Sequence, residues 1–170
     1  MVSQETVLEA LRTVNDPEMP INIVDLGIVD AVRIEPGADA SGSRVVVEIL
    51  PTFVGCPALP WIENDVRKRL GAMPGVTEID VHFRFDPPWT VDRISPAGRE
   101  SLREFGVTVP QRRDHCEPET QTPQCPFCGS SQVHLESSFG PTRCRMIYYC
   151  ESCRNPFEHL KRIPVPVLFD

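Results

Sequence analysis

The sequence predicts a mixed α/β (α+β) protein: a small α-β-β-α-β sandwich domain followed by a second, cysteine-held module. Three observations predict it. Apolar residues recur at helical spacing in two segments, Ser3–Val14 and Ala58–Met73. Three other segments, Ile28–Glu35, Arg44–Leu50 and Glu78–Phe85, are β-rich or alternate apolar with polar. Beyond residue 124, four of the seven cysteines fall in two Cys-x-x-Cys pairs.

Each element follows from local chemistry. Ser3 is placed to cap a helix whose first turn holds Gln4 and Glu5, both favourable at the positive end of the helix dipole. Val7, Leu8, Leu11 and Val14 form its apolar face, and Asp16-Pro17 stops it. After an irregular stretch ending at Asp25-Leu26-Gly27, two β-rich runs flank the Gly37–Ser43 loop and read as a hairpin. Thr52–Pro57 is a tight turn into a second amphipathic helix, with Leu59, Ile62, Val66, Leu70 and Met73 on one side. Pro74-Gly75 ends that helix. Glu78–Phe85 then alternates, with Ile79, Val81, Phe83 and Phe85 on one face. Ser95-Pro96 opens a short further helix. Residues 1–106 are therefore read as one domain, 107–124 as a polar, proline-broken linker, and 125–170 as the second module.

Composition limits the function classes. A chain of 170 residues, 41% hydrophobic and 24% charged, has the balance of a globular protein. No apolar run approaches the roughly 20 residues of a membrane helix. The N-terminal MVSQETVLEALRTVNDPE lacks a basic region followed by an apolar block, so it does not read as a signal peptide, and a cytoplasmic location is expected. A net charge of −7 weighs against a general nucleic-acid binder. The acidity is uneven: residues 1–124 hold 20 acids against 12 bases, and 125–170 hold 4 against 5. Seven cysteines in a cytoplasmic chain point to metal or thiol chemistry rather than disulfides.

The pairs Cys125-x-x-Cys128 and Cys150-x-x-Cys153 are separated by 21 residues. Two such knuckles let four thiolates converge on one tetrahedral ion, the arrangement of a zinc ribbon. The same ligands accept iron, so the identity of the metal stays open. Val133–Ser137 and Arg145–Tyr149 are suited to the hairpin that joins the knuckles. About 46 residues are too few for an independent core, so the metal supplies folding energy. Cys144 is a fifth cysteine in the module, either a small buried thiol or a further ligand. Cys116, beside His115 in the linker, reads as incidental. A ribbon alone is equally compatible with a protein-interaction or nucleic-acid-binding module that transfers no metal.

Cys56 is a different kind of cysteine. It lies in a Gly-Cys-Pro turn just before the second helix, where free N–H groups and the helix dipole favour the thiolate. It is a candidate reactive thiol or transient metal ligand; the alternatives are a buried thiol acting as a small hydrophobe, or a Cys–His pair for which no histidine is clearly placed. Asp16, Glu18 and Asp25 flank the irregular stretch, and by themselves read as loop acids.

The combination Asp16-Pro17-Glu18, Asp25-Leu26-Gly27, Pro51-Thr52 and Gly55-Cys56-Pro57 resembles the SufT-like iron–sulfur assembly domain family over roughly residues 4–86. The segment Asp86–Val107, followed by CPFC and CESC, is similar to one subgroup, the accessory subunits of the bacterial phenylacetyl-CoA epoxidase system. There Cys144 falls on a position that tends to be cysteine. The resemblance implies the sandwich fold reached above and a non-catalytic, accessory or maturation role in a multicomponent epoxidase that serves aerobic phenylacetate degradation. It implies Cys56 as a transient iron or iron–sulfur ligand supported by Glu18, Asp25 and Thr52, and Cys144 as a further candidate. It also implies zinc, or iron in the same site, at Cys125, Cys128, Cys150 and Cys153. The partners implied are the oxygenase and reductase subunits or iron–sulfur assembly proteins, with a homodimer left open, and neither membrane nor nucleic acid.

Overall fold

The structure is a computed structural model that describes residues 2–38, 42–111 and 122–162. The chain divides into two compact units, Met1–Trp89 and Thr90–Asp170.

In the first unit, α1 (Gln4–Leu11) begins at Ser3, whose hydroxyl accepts from the Thr6 N–H while Thr6 Oγ1 accepts from the Ser3 N–H, closing a capping box. Strands β1 (Val29–Pro36) and β2 (Ser43–Ile49) pair antiparallel, and β3 (Val76–Phe83) lies parallel to β2. The parallel pair is connected through α2 (Leu59–Gly71), so the order is β1-β2-β3 with a helical crossover. The apolar rows predicted from spacing meet in one core: Val7 and Leu11 of α1, Ile62, Val66 and Leu70 of α2, and Val45, Val47, Ile49 and Val81 of the sheet are all buried. The opposite face of the sheet is a lattice of ion pairs, Arg33 and Arg84 on Glu48, and Arg44 on Asp80 and Glu35. Hydrogen bonds from Arg84 and Arg33 hold the Glu48 carboxyl below its usual range.

The second unit opens with a 3₁₀ turn (Val91–Arg93) and α3 (Pro96–Glu104), capped by Ser95 with Pro96 in its first turn as expected. Then come β4 (Val107–Thr108), β5 (Val133–Ser137), β6 (Arg145–Cys150) and β7 (Pro156–Leu160), in the sheet order β4-β7-β6-β5.

Two features depart from the sequence reading. The division falls after Trp89 rather than after residue 106, because α3 is tied to its own unit. Leu102 is fully buried, and the Arg99 guanidinium donates to the carbonyls of Val91 at 2.8 Å and Pro110 at 2.7 Å. The segment 107–124 also does not begin as linker, since Val107 and Thr108 pair in parallel with Glu158 and His159. Residues 112–121 of that segment, with His115 and Cys116, lie outside the described residues.

Candidate functional site

The four ribbon cysteines come together as their spacing predicts. Their Sγ atoms all lie within 4.8 Å of one another. Cys125 to Cys153 and Cys128 to Cys150 are both 3.6 Å. Four sulfurs at about 2.3 Å from a tetrahedral ion stand about 3.8 Å apart, so the donor set fits one such metal.

The two knuckles repeat one backbone device. The Gly129 N–H donates to the Cys125 carbonyl at 2.9 Å, and the Arg154 N–H donates to the Cys150 carbonyl at 2.8 Å. In each, the residue after the second cysteine is left-handed, Gly129 at φ +73° and Arg154 at φ +59°. Cys125, Cys150 and Phe157 form the small apolar cluster behind the thiols.

Four thiols this close cannot all ionise independently. A hydrogen bond from Asn155 takes Cys153 down to about 6. At Cys128 the Ser130 N–H pulls the other way, but desolvation and the three neighbouring thiols outweigh it and push the group up to about 12. Burial raises Cys125 as well. A divalent cation at the centre is what would hold all four as thiolates. Cys144 stands apart from this cluster: it is buried, with its sulfur 3.1 Å from Thr142 Oγ1.

Cys56 is in the first unit, half-buried, in the turn between β2 and α2. Gly55 supplies the left-handed backbone, φ +84°, that reverses the chain. The Cys56 N–H donates to the Phe53 carbonyl at 3.2 Å, and its own carbonyl accepts from the Leu59 N–H at 3.3 Å. The N-cap of α2 is Ala58, which offers no side-chain acceptor; of the first helical amides, that of Leu59 goes to the Cys56 carbonyl and Pro60 has none.

This turn leaves the carboxyl end of β2, beside the carboxyl end of the parallel strand β3. The Asp25–Gly27 turn enters the same end of the sheet, because the Leu50 N–H donates to the Ile28 carbonyl at 2.8 Å. Asp25 is fixed by Arg12 at 3.0 Å and by the Asn22 side-chain amide at 2.6 Å, and Trp89 Nε1 donates to the buried Leu26 carbonyl at 3.1 Å. Thr52 is half-buried at the start of the turn. Glu18 is exposed in a small loop of its own, closed by the Asn15–Asn22 bridge, with its N–H bonded to Asp16.

Sequence reasoning did not single out Val54 and Trp61, which flank Cys56 along the chain and are 67% and 70% exposed. The available signal was that Trp61 falls off the Ile62–Val66–Leu70 face of its helix.

The fold and sites define a protein class: an α-β-β-α-β sandwich with a thiol at the carboxyl ends of its parallel strands, joined to a β-ribbon with four clustered thiols. The family model described as iron-sulfur cluster assembly protein matches residues 4–81, and that of the PaaD zinc beta ribbon domain matches residues 109–161. A protein of Escherichia coli (strain K12), provisionally named as a component of 1,2-phenylacetyl-CoA epoxidase, is 37% identical over 157 residues, covering 90% of this chain and 89% of that one. The Fe-S protein maturation auxiliary factor YitW of Bacillus subtilis is 38% identical over 99 residues, 58% of this chain and 92% of its own. Among solved structures, the domain of unknown function DUF59 from Bacillus anthracis aligns with TM-score 0.52 and 32% identity, over 58% of this chain and 90% of that chain. The chain belongs to the iron–sulfur cluster assembly protein family and carries a PaaD zinc β-ribbon. No helix among the described residues is long and apolar enough to cross a membrane.

Proposed function

We propose that this chain is a cytoplasmic accessory subunit that helps assemble the iron or iron–sulfur centres of a phenylacetyl-CoA epoxidase, with Cys56 as the transient ligand of the cargo. The observation that carries the reading is the placement of Cys56: a half-buried thiol held on a left-handed glycine turn, at the carboxyl ends of two parallel strands and ahead of an uncapped helix start. Open α/β sheets present ligand-binding groups at that end. A single thiolate on such a turn binds iron without enclosing it, so a client can take the metal by ligand exchange. On binding, the thiol gives up its proton to solvent, and on release the client's own ligands replace the sulfur.

Asp25, already anchored by Arg12 and Asn22, acts as a fixed acceptor that shapes the neighbouring turn; Thr52, at the start of the Cys56 turn, is the polar partner of the thiol, and Glu18, exposed in its own loop, is a further carboxylate for the cargo. Exposed Val54 and Trp61 offer the apolar surface on which a client docks. The ribbon, with zinc as its metal, is the structural and interaction module. The name of the E. coli relative supports the pathway, and the maturation-factor relatives support the assembly role.

The test is the client's metal content. The epoxidase oxygenase and reductase subunits would be produced with the wild-type chain or with Cys56→Ala, and iron and sulfide measured on the purified subunits. Cys56→Ala is expected to fold and to lower client occupancy several-fold. Unchanged occupancy with a stably folded variant would refute the role of Cys56.

A further inference from the structure

The second unit holds an enclosed polar atom that the fold itself does not satisfy. His159, on β7, is only 8% exposed, yet it lines a cavity of about 550 Å³ that neither cysteine site uses. The volume lies within the range of small-molecule sites. Pro96, Val109 and Pro123 supply apolar wall, and α3 contributes Arg99, Glu100 and Arg103.

Thr108 fixes which ring nitrogen carries the proton. Its hydroxyl donates to the Glu158 carbonyl at 3.2 Å, and the same oxygen stands 2.7 Å from His159 Nδ1. With its one hydrogen engaged by the carbonyl, that oxygen can only accept from an Nδ1–H. The other tautomer would set lone pair against lone pair at one of the two contacts, so only this assignment makes both of them hydrogen bonds. Nδ1 therefore carries the ring proton, and Nε2 is a bare acceptor with no partner among the described residues. Burial takes the group down to about 4, so the ring is neutral at physiological pH and the Nε2 lone pair stays available. A largely buried acceptor at a cavity wall calls for a donor from whatever fills the cavity.

We propose that this cavity binds a neutral small molecule through a hydroxyl or N–H group, which donates to His159 Nε2 while an apolar body lies against the proline and valine wall. The charges around the cavity exclude ionic ligands. An anion would meet the Nε2 lone pair, and Arg103 is already held by Glu100 through two hydrogen bonds of 2.6 and 3.0 Å. A cation, metal ions included, would meet two guanidiniums, Arg99 and Arg103, against the one carboxylate of Glu100. Arg99 is bonded to the carbonyls of Val91 at 2.8 Å and Pro110 at 2.7 Å, which keeps its charge at the wall. Thr108 is the positioning residue: it acts on the ligand through the tautomer it imposes on His159.

The test follows the His159 ring nitrogens by NMR in the full-length, metal-loaded chain at pH 7. The chain has four histidines, and the spectrum of His159→Gln identifies the resonance. In the free protein the ring is expected as the Nδ1–H tautomer, with Nε2 at the shift of an unprotonated nitrogen. The probes are phenol, anisole (the same ring without a donor), benzoate and benzylammonium. Phenol is expected to move the Nε2 signal saturably. Anisole is expected to bind about tenfold more weakly, the loss of one hydrogen bond, and the two ions more weakly than phenol as well. This comparison is made on the wild-type chain, so it does not depend on the folding of any variant. Thr108→Val removes the acceptor of Nδ1–H and is expected to weaken phenol several-fold while leaving anisole unchanged. The proposal is overturned if Nε2 carries the proton, or if no saturable shift appears by about 10 mM phenol, weaker than any binding of functional use. It is also overturned if anisole, benzoate or benzylammonium binds as tightly as phenol. Unchanged phenol affinity in a folded Thr108→Val chain would overturn the positioning role of Thr108.

Discussion

Replacing Gly55 by alanine isolates the backbone's contribution to presenting Cys56. Gly55 has φ +84°, and an added Cβ would meet no heavy atom within 4 Å, so packing is untouched. What remains is the cost of holding an L-residue in the left-handed region, about 1–2 kcal/mol. Alanine also narrows the unfolded ensemble, which offsets roughly 0.4–1 kcal/mol of that. The net expectation is a destabilisation of about 1 kcal/mol or slightly less. Asparagine tolerates the same backbone and should recover most of the loss, whereas valine, branched at Cβ, should exceed alanine.

The assay is urea unfolding followed by tryptophan fluorescence, which reports this unit because both tryptophans, Trp61 and Trp89, lie in Met1–Trp89. The rate of Cys56 alkylation, mapped by mass spectrometry, should change in the same order, since relaxing the turn moves the thiol. A neutral valine variant, or an asparagine variant as costly as valine, would refute the reasoning. Gly106 gives a contrast: at φ +87° its added Cβ would fall 2.8 Å from Phe127 Cζ, so alanine there costs a displaced ring as well as strain.

Two further predictions concern the second unit. The full chain should hold one divalent metal at the four thiols. Cys150→Ser should lose that metal and the hydrogen-exchange protection of β5–β7 while the tryptophan-reported unit still unfolds cooperatively; retained protection in the metal-free variant would refute the coupling. His159 should make stability depend on pH. Its folded value is lowered to about 4 from the ordinary 6.5, so the unfolded chain takes up the proton first. The contribution is complete above pH 6.5 and is lost as pH falls toward 4, roughly 3 kcal/mol at the limit. Comparing wild type with His159→Gln separates it from protonation of the thiolates. Identical pH slopes for the two proteins would refute it.

What was legible in the sequence was whatever local spacing encodes. The helical recurrence of Ile62, Val66 and Leu70, the alternation through β3, the caps at Ser3 and Ser95 and the two Cys-x-x-Cys pairs each carry their structure within a few residues. Two-residue β4 and five-residue β7 do not. Neither is long enough to show a period, and they pair with each other across some 50 residues. The burial of Arg145 is equally invisible, because it depends on Glu158 lying across the β6–β7 pair, 2.5 Å from the guanidinium. The Cys56 site was half legible. The Gly-Cys-Pro turn showed where the thiol sits along the chain, but only the pairing of β1, β2 and β3 brings the Asp25–Gly27 turn to the same end of the sheet.

The two sulfur sites differ in a way that separates their chemistry. In the ribbon, paired left-handed knuckles bring four thiols to spacing that suits a tetrahedral ion beside a buried apolar cluster, so all four positions of that ion are filled by the chain's own sulfurs. Cys56 has a different character: it belongs to no cluster of three or more metal-ligating side chains among the described residues, its side chain is half open to solvent, and the exposed apolar Val54 and Trp61 stand on either side of it along the chain. A site meant to keep a metal needs all its ligands from one chain, whereas a site meant to hand one over must leave positions for the recipient's ligands. The ribbon meets the first requirement and the Cys56 turn meets the second. On the proposed function, one chain would then carry a structural ion and a passing cargo ion without the two competing for the same thiolates.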